Sequence, residues 1–112
     1  MINDISITGR IANDIKLRKT KDEKPFLFLT IAVNKGKDKV NFIPCIAWNK
    51  TSELINEHLK KGSLIGIEGE LESYKKDDKY KVQVLIQKIS FLETKKESKN
   101  EETSYDIDKI KF

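Results

Sequence analysis

The segment Val40-Asn41-Phe42-Ile43-Pro44-Cys45-Ile46-Ala47-Trp48 constrains this chain more than any other. Successive side chains of a strand point to opposite faces, so Ile43, Cys45 and Ala47 fall on one side and Phe42, Pro44, Ile46 and Trp48 on the other. Both sides are apolar. A chain of 112 residues has room for one domain and one core. One face of this strand fills that core, and the other is left to meet something else. Phe42 and Trp48 are the two large flat groups on that second face. Pro44 donates no ladder hydrogen bond, so an edge or a bulge is expected there.

The strands around it follow from the same alternation. Ile5, Ile7 and Gly9 alternate with Ser6, Thr8 and Arg10, a half-buried first strand that Gly9 can bend where a small barrel must curl. Ile15 and Leu17, alternating with Lys16 and Arg18, are expected to extend that ribbon. After a polar loop over residues 19–25, a second strand sets Leu27, Leu29, Ile31 and Val33 against Phe26, Phe28, Thr30 and Ala32. Its second face also begins with aromatics. Residues 34–39 form a short hairpin loop with Lys35, Lys37 and Lys39.

Between Asn49 and Lys61 the period changes to that of a helix. Thr51 or Ser52 is the expected cap, Leu54, Ile55, His58 and Leu59 share a face, and Lys60-Lys61-Gly62 supplies a cationic last turn and a stop. The fourth strand sets Ile65, Ile67, Gly69 and Leu71 against Glu68 and Glu70. Residues 74–80 are expected to form a charged hairpin with Tyr74 and Tyr80 at its two bases. A fifth strand follows over residues 81–92 with mixed alternation.

Five strands with one helix between the third and the fourth is the order of the OB barrel, an all-β fold with one short helix. Residues 1–92 make this domain. Residues 93–112 turn to Glu, Lys, Ser, Asn and Thr and are expected to be a disordered, flexible tail, regaining apolar character only at 105–112.

Charge narrows the function classes. Residues 1–92 hold 17 Lys and Arg against 12 Asp and Glu, whereas residues 93–112 hold 5 against 6. The barrel is basic and attracts phosphate. A single cysteine, Cys45, permits no internal disulfide and is expected in the core; no His/Cys cluster has metal-ligand spacing. His58 is the sole histidine and reads as a packing or surface residue. Glu68 and Glu70 share a strand face but have no histidine, metal set or phosphate loop beside them, so no catalytic residue, metal or cofactor is expected. No leader or membrane span is read, which points to a soluble, reducing, cytoplasmic setting.

An aromatic patch on a lysine-rich chain fits either a protein interface or a stacking platform for unpaired bases. Three readings stay open on the residues alone: a single-stranded DNA binder, an OB-fold protein-assembly factor, and an RNA-binding OB module. Arg10, Lys16, Arg18, Lys35, Lys37, Lys50, Lys75, Lys76 and Lys79 are the candidate phosphate neighbours.

Residues 2–92 resemble the bacterial and phage single-stranded DNA-binding proteins. The matching pieces are Ile7-Thr8-Gly9-Arg10-Ile11 with Asp14 and Leu17-Arg18, Leu29-Thr30-Ile31-Ala32-Val33-Asn34, Phe42-Ile43-Pro44-Cys45-Ile46-Ala47-Trp48-Asn49-Lys50, and Leu59-Lys60-Lys61-Gly62-Ser63 running into Ile67-Glu68-Gly69-Glu70-Leu71. Their order and spacing carry the resemblance. It implies a homotetramer that coats unpaired DNA without sequence preference in replication, repair and recombination, in a bacterial cell or, if phage-encoded, in host cytoplasm. It places base-stacking aromatics at Phe42 and Trp48 and a further one at Tyr80, with Tyr74 nearby. The loop over 34–39 lacks the aromatic some relatives carry, a role that Phe26 or Phe28 could fill. It further implies recruitment of replication or repair proteins by the tail, here through Asp106, Asp108 and the terminal Phe112, although Lys109 and Lys111 interrupt the acidity and no proline precedes Phe112.

Overall fold

The computed structural model describes residues 1–92. Its elements are β1 (Ile5–Ile11), β2 (Arg18–Lys19), β3 (Pro25–Asn34), β4 (Val40–Trp48), α1 (Asn49–His58), β5 (Leu64–Lys76) and β6 (Lys79–Phe91). The five long strands close a ring in the order β1–β5–β6–β4–β3–β1, and β2 hangs on β3. Only β4 and β6 run parallel; the other pairs are antiparallel. This is the OB barrel, with its helix between the third and fourth long strands.

Closure depends on β1 serving two neighbours. It pairs with β5 from Ile5 to Arg10 and reaches β3 at Arg10 and Ile11. Gly9 sits where the strand turns from one to the other, and a Cβ there would run into the Ala32 carbonyl. The strand can bend because this position carries no side chain.

The core holds the inward rows: Ile11, Leu27, Leu29, Ile31, Cys45, Ala47, Ile65, Ile67, Val84 and Ile86, capped by Ile55 and Leu59. The mixed alternation of the last strand has a local cause. Glu68 faces Lys88 while Gly69 faces Ile86, so Gln87 is an extra residue on β6. The bulge flips parity: Val84 and Ile86 point inward before it, Ile89 and Phe91 pack on the core after it. Gly69 makes room, since a Cβ there would meet the Leu85 carbonyl.

Several expectations need correction. Residues 12–17 form no strand; Ile15 and Leu17 pack against the core from an irregular segment, and the ladder resumes only at Arg18 and Lys19, on β3. The helix begins at Asn49 directly behind Trp48, with no side-chain cap. Ser52 is buried inside it and donates its hydroxyl to the Asn49 carbonyl, 2.6 Å away. The helix ends at His58, so Lys60 and Lys61 lie beyond its last turn. Residues 74–80 are mostly ladder: β5 and β6 run to Lys76 and Lys79, joined by Asp77 and Asp78, both at positive φ as a two-residue I′ hairpin requires. Leu71, expected inward, is exposed although its partner Val84 is in the core, because the β1–β5 ladder ends at Ile5 and Gly69 and leaves Leu71 past the end of β1. Pro44 breaks no register with Thr30. It is an edge proline, because β6 meets β4 only at Cys45 and Ile46.

Candidate functional site

The β3–β4 ladder is unbroken from Phe26↔Trp48 to Asn34↔Val40. Directly paired residues share a face. The inward pairs Leu27 with Ala47 and Leu29 with Cys45 are fully buried. Their outward neighbours form four rows across the sheet, because the ladder continues onto β1, β2 and β6. At one end Arg18, Phe26 and Trp48 lie abreast; next come Phe28, Ile46 and Leu85; then Thr30 and Pro44; at the far end Arg10, Ala32 and Phe42.

Exposure along these rows is uneven. Phe42 is 63% and Phe28 48% exposed, whereas Ile46 between them is buried. Trp48 is half-buried because Phe26 stacks on it, with ring centroids 4.9 Å apart and planes at 30°. Phe26 in turn meets Phe28 edge to face at 5.6 Å. Trp48, Phe26 and Phe28 are thus one contiguous aromatic cluster. Phe42 stands apart, about 13 Å along β4 from Ile46 by strand rise.

Positive groups bracket the strip. Arg18 is beside Phe26, Lys50 lies in the first turn of the helix after Trp48, and Lys35 and Lys37 sit on the loop at the Phe42 end. Arg10 donates from Nη1 to the Gly62 carbonyl at 3.0 Å, which ties the Phe42 end to the chain after the helix.

The remaining predicted residues lie on the β5–β6 ribbon. Tyr80 pairs with Lys75, whose Nζ is 5.8 Å from the ring centre, and Tyr74 pairs with Lys81. Pairing parity puts the two tyrosines on opposite faces. Tyr74 continues the side of Glu72, Gln83 and Leu85; Tyr80 continues that of Val82 and Val84. Lys76 faces Lys79 at the tip. On the Tyr74 side the outer row of β5 is acidic, with Glu72 accepting from Gln83 Nε2 at 2.8 Å and Glu70 from Gln87 Nε2 at 3.3 Å. Asp106, Asp108 and Phe112 lie outside the described residues.

Cys45 is buried beneath the strip, its thiol directed to the Ile43 carbonyl at 3.5 Å, and burial pushes its pKa up to about 12. Among the described residues no three His, Cys, Asp or Glu side chains gather to hold a metal ion. No helix there is long and apolar enough to cross a membrane. Sequence reading singled out Phe42, Trp48 and Phe28. It missed that Phe26 covers one face of Trp48, which follows only from the strand register.

An OB barrel with an outward aromatic strip between arginines belongs to the class of small barrels that bind on one sheet face. Comparison with known proteins narrows this. The Single-strand binding protein family matches residues 2–92, and the chain belongs to it. Single-stranded DNA-binding protein 3 of Listeria innocua is 31% identical over 115 aligned residues, covering 93% of this chain and 72% of that protein. The single-stranded DNA-binding protein of Bacillus cereus is 35% identical over 104, covering 83% and 61%. Single-stranded DNA-binding protein 1 of Staphylococcus aureus is 32% identical over 116, covering 94% and 74%. The chain therefore spans less than two thirds of the Bacillus cereus relative.

Proposed function

We propose that this chain binds single-stranded DNA without sequence preference, by stacking bases on the β3–β4 strip and neutralising phosphates, with no chemistry of its own. One observation carries the reading. Leu27, Leu29, Ile31, Cys45 and Ala47 of the inner row are buried while Phe28 and Phe42 remain open to solvent on the outer row, beside the Phe26–Trp48 stack. Every base has a π-face, so stacking worth about 1–3 kcal/mol per base does not discriminate sequence. Arg10, Arg18, Lys35, Lys37 and Lys50 supply the phosphate contacts nearest the strip, and Lys75 and Lys76 those on the ribbon. The names of the relatives support the same ligand.

In this reading the protein serves DNA replication, repair and recombination as a homo-oligomer, a tetramer, with residues 1–92 as the binding domain. Asp106, Asp108 and Phe112 in the tail recruit partner proteins. Titration with oligo-dT tests the core of the proposal. Trp48 emission is expected to be quenched, and the complex to weaken steeply as salt rises and counterions are released. Unchanged emission at saturating oligonucleotide overturns it. Oligo-U of equal length is expected to compete less well than oligo-dT; stronger competition makes the ligand RNA. Loss of the oligomer with DNA binding intact, on replacing Phe42 and Trp48 by alanine, makes the strip a protein interface.

A further inference from the structure

The barrel is incompletely laddered beside its aromatic cluster. On the edge of β3 away from β4, β1 reaches only Ile31 and Ala32, and β2 only Pro25 and Phe26. The gap between them falls at Phe28 and Thr30, whose backbone groups point to this edge because the groups of Leu27 and Leu29 point to the other. Phe28 carries the second most exposed ring of the strip.

Asn13 fills this gap with its side chain. Its Oδ1 accepts from the Thr30 N–H at 2.7 Å, and its Nδ2 donates to the Phe28 carbonyl at 3.2 Å and to the Asp14 carbonyl at 3.1 Å. The Thr30 N–H needs an acceptor and the two carbonyls need donors, so the network admits one orientation of the amide. Ala12 N–H completes the edge by donating to the Thr30 carbonyl at 2.7 Å. The primary amide thus replaces the stretch of neighbouring strand that the barrel lacks. A similar device occurs at Asn3, which exchanges two hydrogen bonds of 2.9 Å with Leu71, but no aromatic cluster stands there.

We infer that Asn13 is a positioning residue for DNA binding, acting through Phe28: it holds the stretch of β3 left open between β2 and β1 in strand geometry, so that the ring is set for a base before the base arrives. The inference rests on the proposed function. Preorganisation acts on affinity by removing an ordering cost that binding would otherwise carry. Asn13 itself lies on the opposite edge of β3 from β4 and its side chain hydrogen-bonds backbone groups, so its effect should appear wherever Phe28 matters and nowhere else.

The full chain tests this with Asn13→Ala and Asn13→Asp, each alone and combined with Phe28→Ala or Phe42→Ala. Trp48 emission follows the titration with oligo-dT. Asn13→Ala is expected to weaken binding about fivefold, the equivalent of one lost hydrogen bond. The loss should vanish in the Phe28→Ala background and persist in the Phe42→Ala background. Asn13→Asp keeps the acceptor for Thr30 but sets a carboxylate against the Phe28 carbonyl; it should weaken binding at least as much, and it decides the matter if the alanine variant does not fold. Equal losses in both backgrounds, or no loss at all, overturn the assignment. Hydrogen exchange of the Thr30 amide, measured without DNA, is expected to accelerate in both variants. Unchanged exchange removes the clamp itself, whatever the chain binds, whereas failure of the unaltered chain to bind oligo-dT removes the reading of the strip.

Discussion

The β3–β4 and β5–β6 ribbons are both long antiparallel hairpins of the same barrel, and they use their outer faces in opposite ways. β3–β4 keeps one register from end to end and shows aromatics outward, bracketed by Arg10 and Arg18. β5–β6 shifts register at Glu68 and Gly69, and its outer face bears Glu68, Glu70 and Glu72 beside Lys88, Leu85 and Gln83. An unbroken ladder keeps like residues in line over its whole length, whereas a bulge breaks the line and turns the strand. The straight ribbon thus keeps its outward aromatics on one face. The other is shaped to bend, to close the barrel and to project a charged tip.

The largest effect that sharpens this contrast is on stability. Gly69→Val puts branched bulk against the Leu85 carbonyl at the bulge and is expected to cost at least ~3 kcal/mol, read as a fall in the urea midpoint. Phe42→Ala, on the straight ribbon, removes a ring that is 63% exposed and should leave that midpoint nearly unchanged.

Binding should show the reverse pattern. Trp48→Ala and Phe28→Ala are each expected to weaken oligo-dT binding by about 1–3 kcal/mol in a direct titration. If substitutions on β5–β6 prove as costly, the division between the ribbons is wrong.

A third test uses pH. Burial pushes the Cys45 thiol up to about 12 in the folded chain, from an ordinary 9.0. Burial favours its neutral form, so this contribution is complete below pH 9 and is lost as pH rises from 9 towards 12, where the unfolded thiol has released its proton and the folded one has not. The slope is about 1.4 kcal/mol per pH unit at most. Urea midpoints taken across that window should fall more steeply for the unaltered chain than for Cys45→Ala.

Smaller effects probe the projecting ribbon. Because Tyr74 and Tyr80 are on opposite faces, Tyr74→Ala and Tyr80→Ala should change oligo-dT affinity unequally, and equal losses would show that the bound strand wraps both sides. Glu70→Gln should strengthen binding by less than ~1 kcal/mol at low salt, with no difference at high salt, because a half-exposed surface carboxylate acts on phosphate only through a screened field.

Much of this molecule is local in origin. The alternation Leu27, Leu29, Ile31 against Phe26, Phe28, Thr30 declares which row of β3 enters the core, and the same holds for Cys45 and Ala47 against Phe42 and Trp48. Neighbours along one strand settle that choice, so no distant contact is needed. The helix was placed but its start was missed. The turn signals of Thr51 and Ser52 lost to packing that buries Ser52 within the first turns. Residues 74–80 read as a charged hairpin with its tyrosines at the bases, yet two aspartates at positive φ suffice to turn the chain, so both strands run on to the tip.

Sequence alone determined the inward and outward rows of β3 and β4, the basic charge of the barrel and the order of its long strands along the chain, since each follows from side chains a few positions apart. Tertiary structure decided which rows lie side by side. That Phe26 covers Trp48, that Tyr74 and Tyr80 part company, that Gln87 is the extra residue, and that Asn13 completes an edge fifteen residues away all depend on register between segments far apart in the chain. Register is set by closing the whole barrel, and a period-2 pattern repeats identically at every even shift, so no single strand contains it.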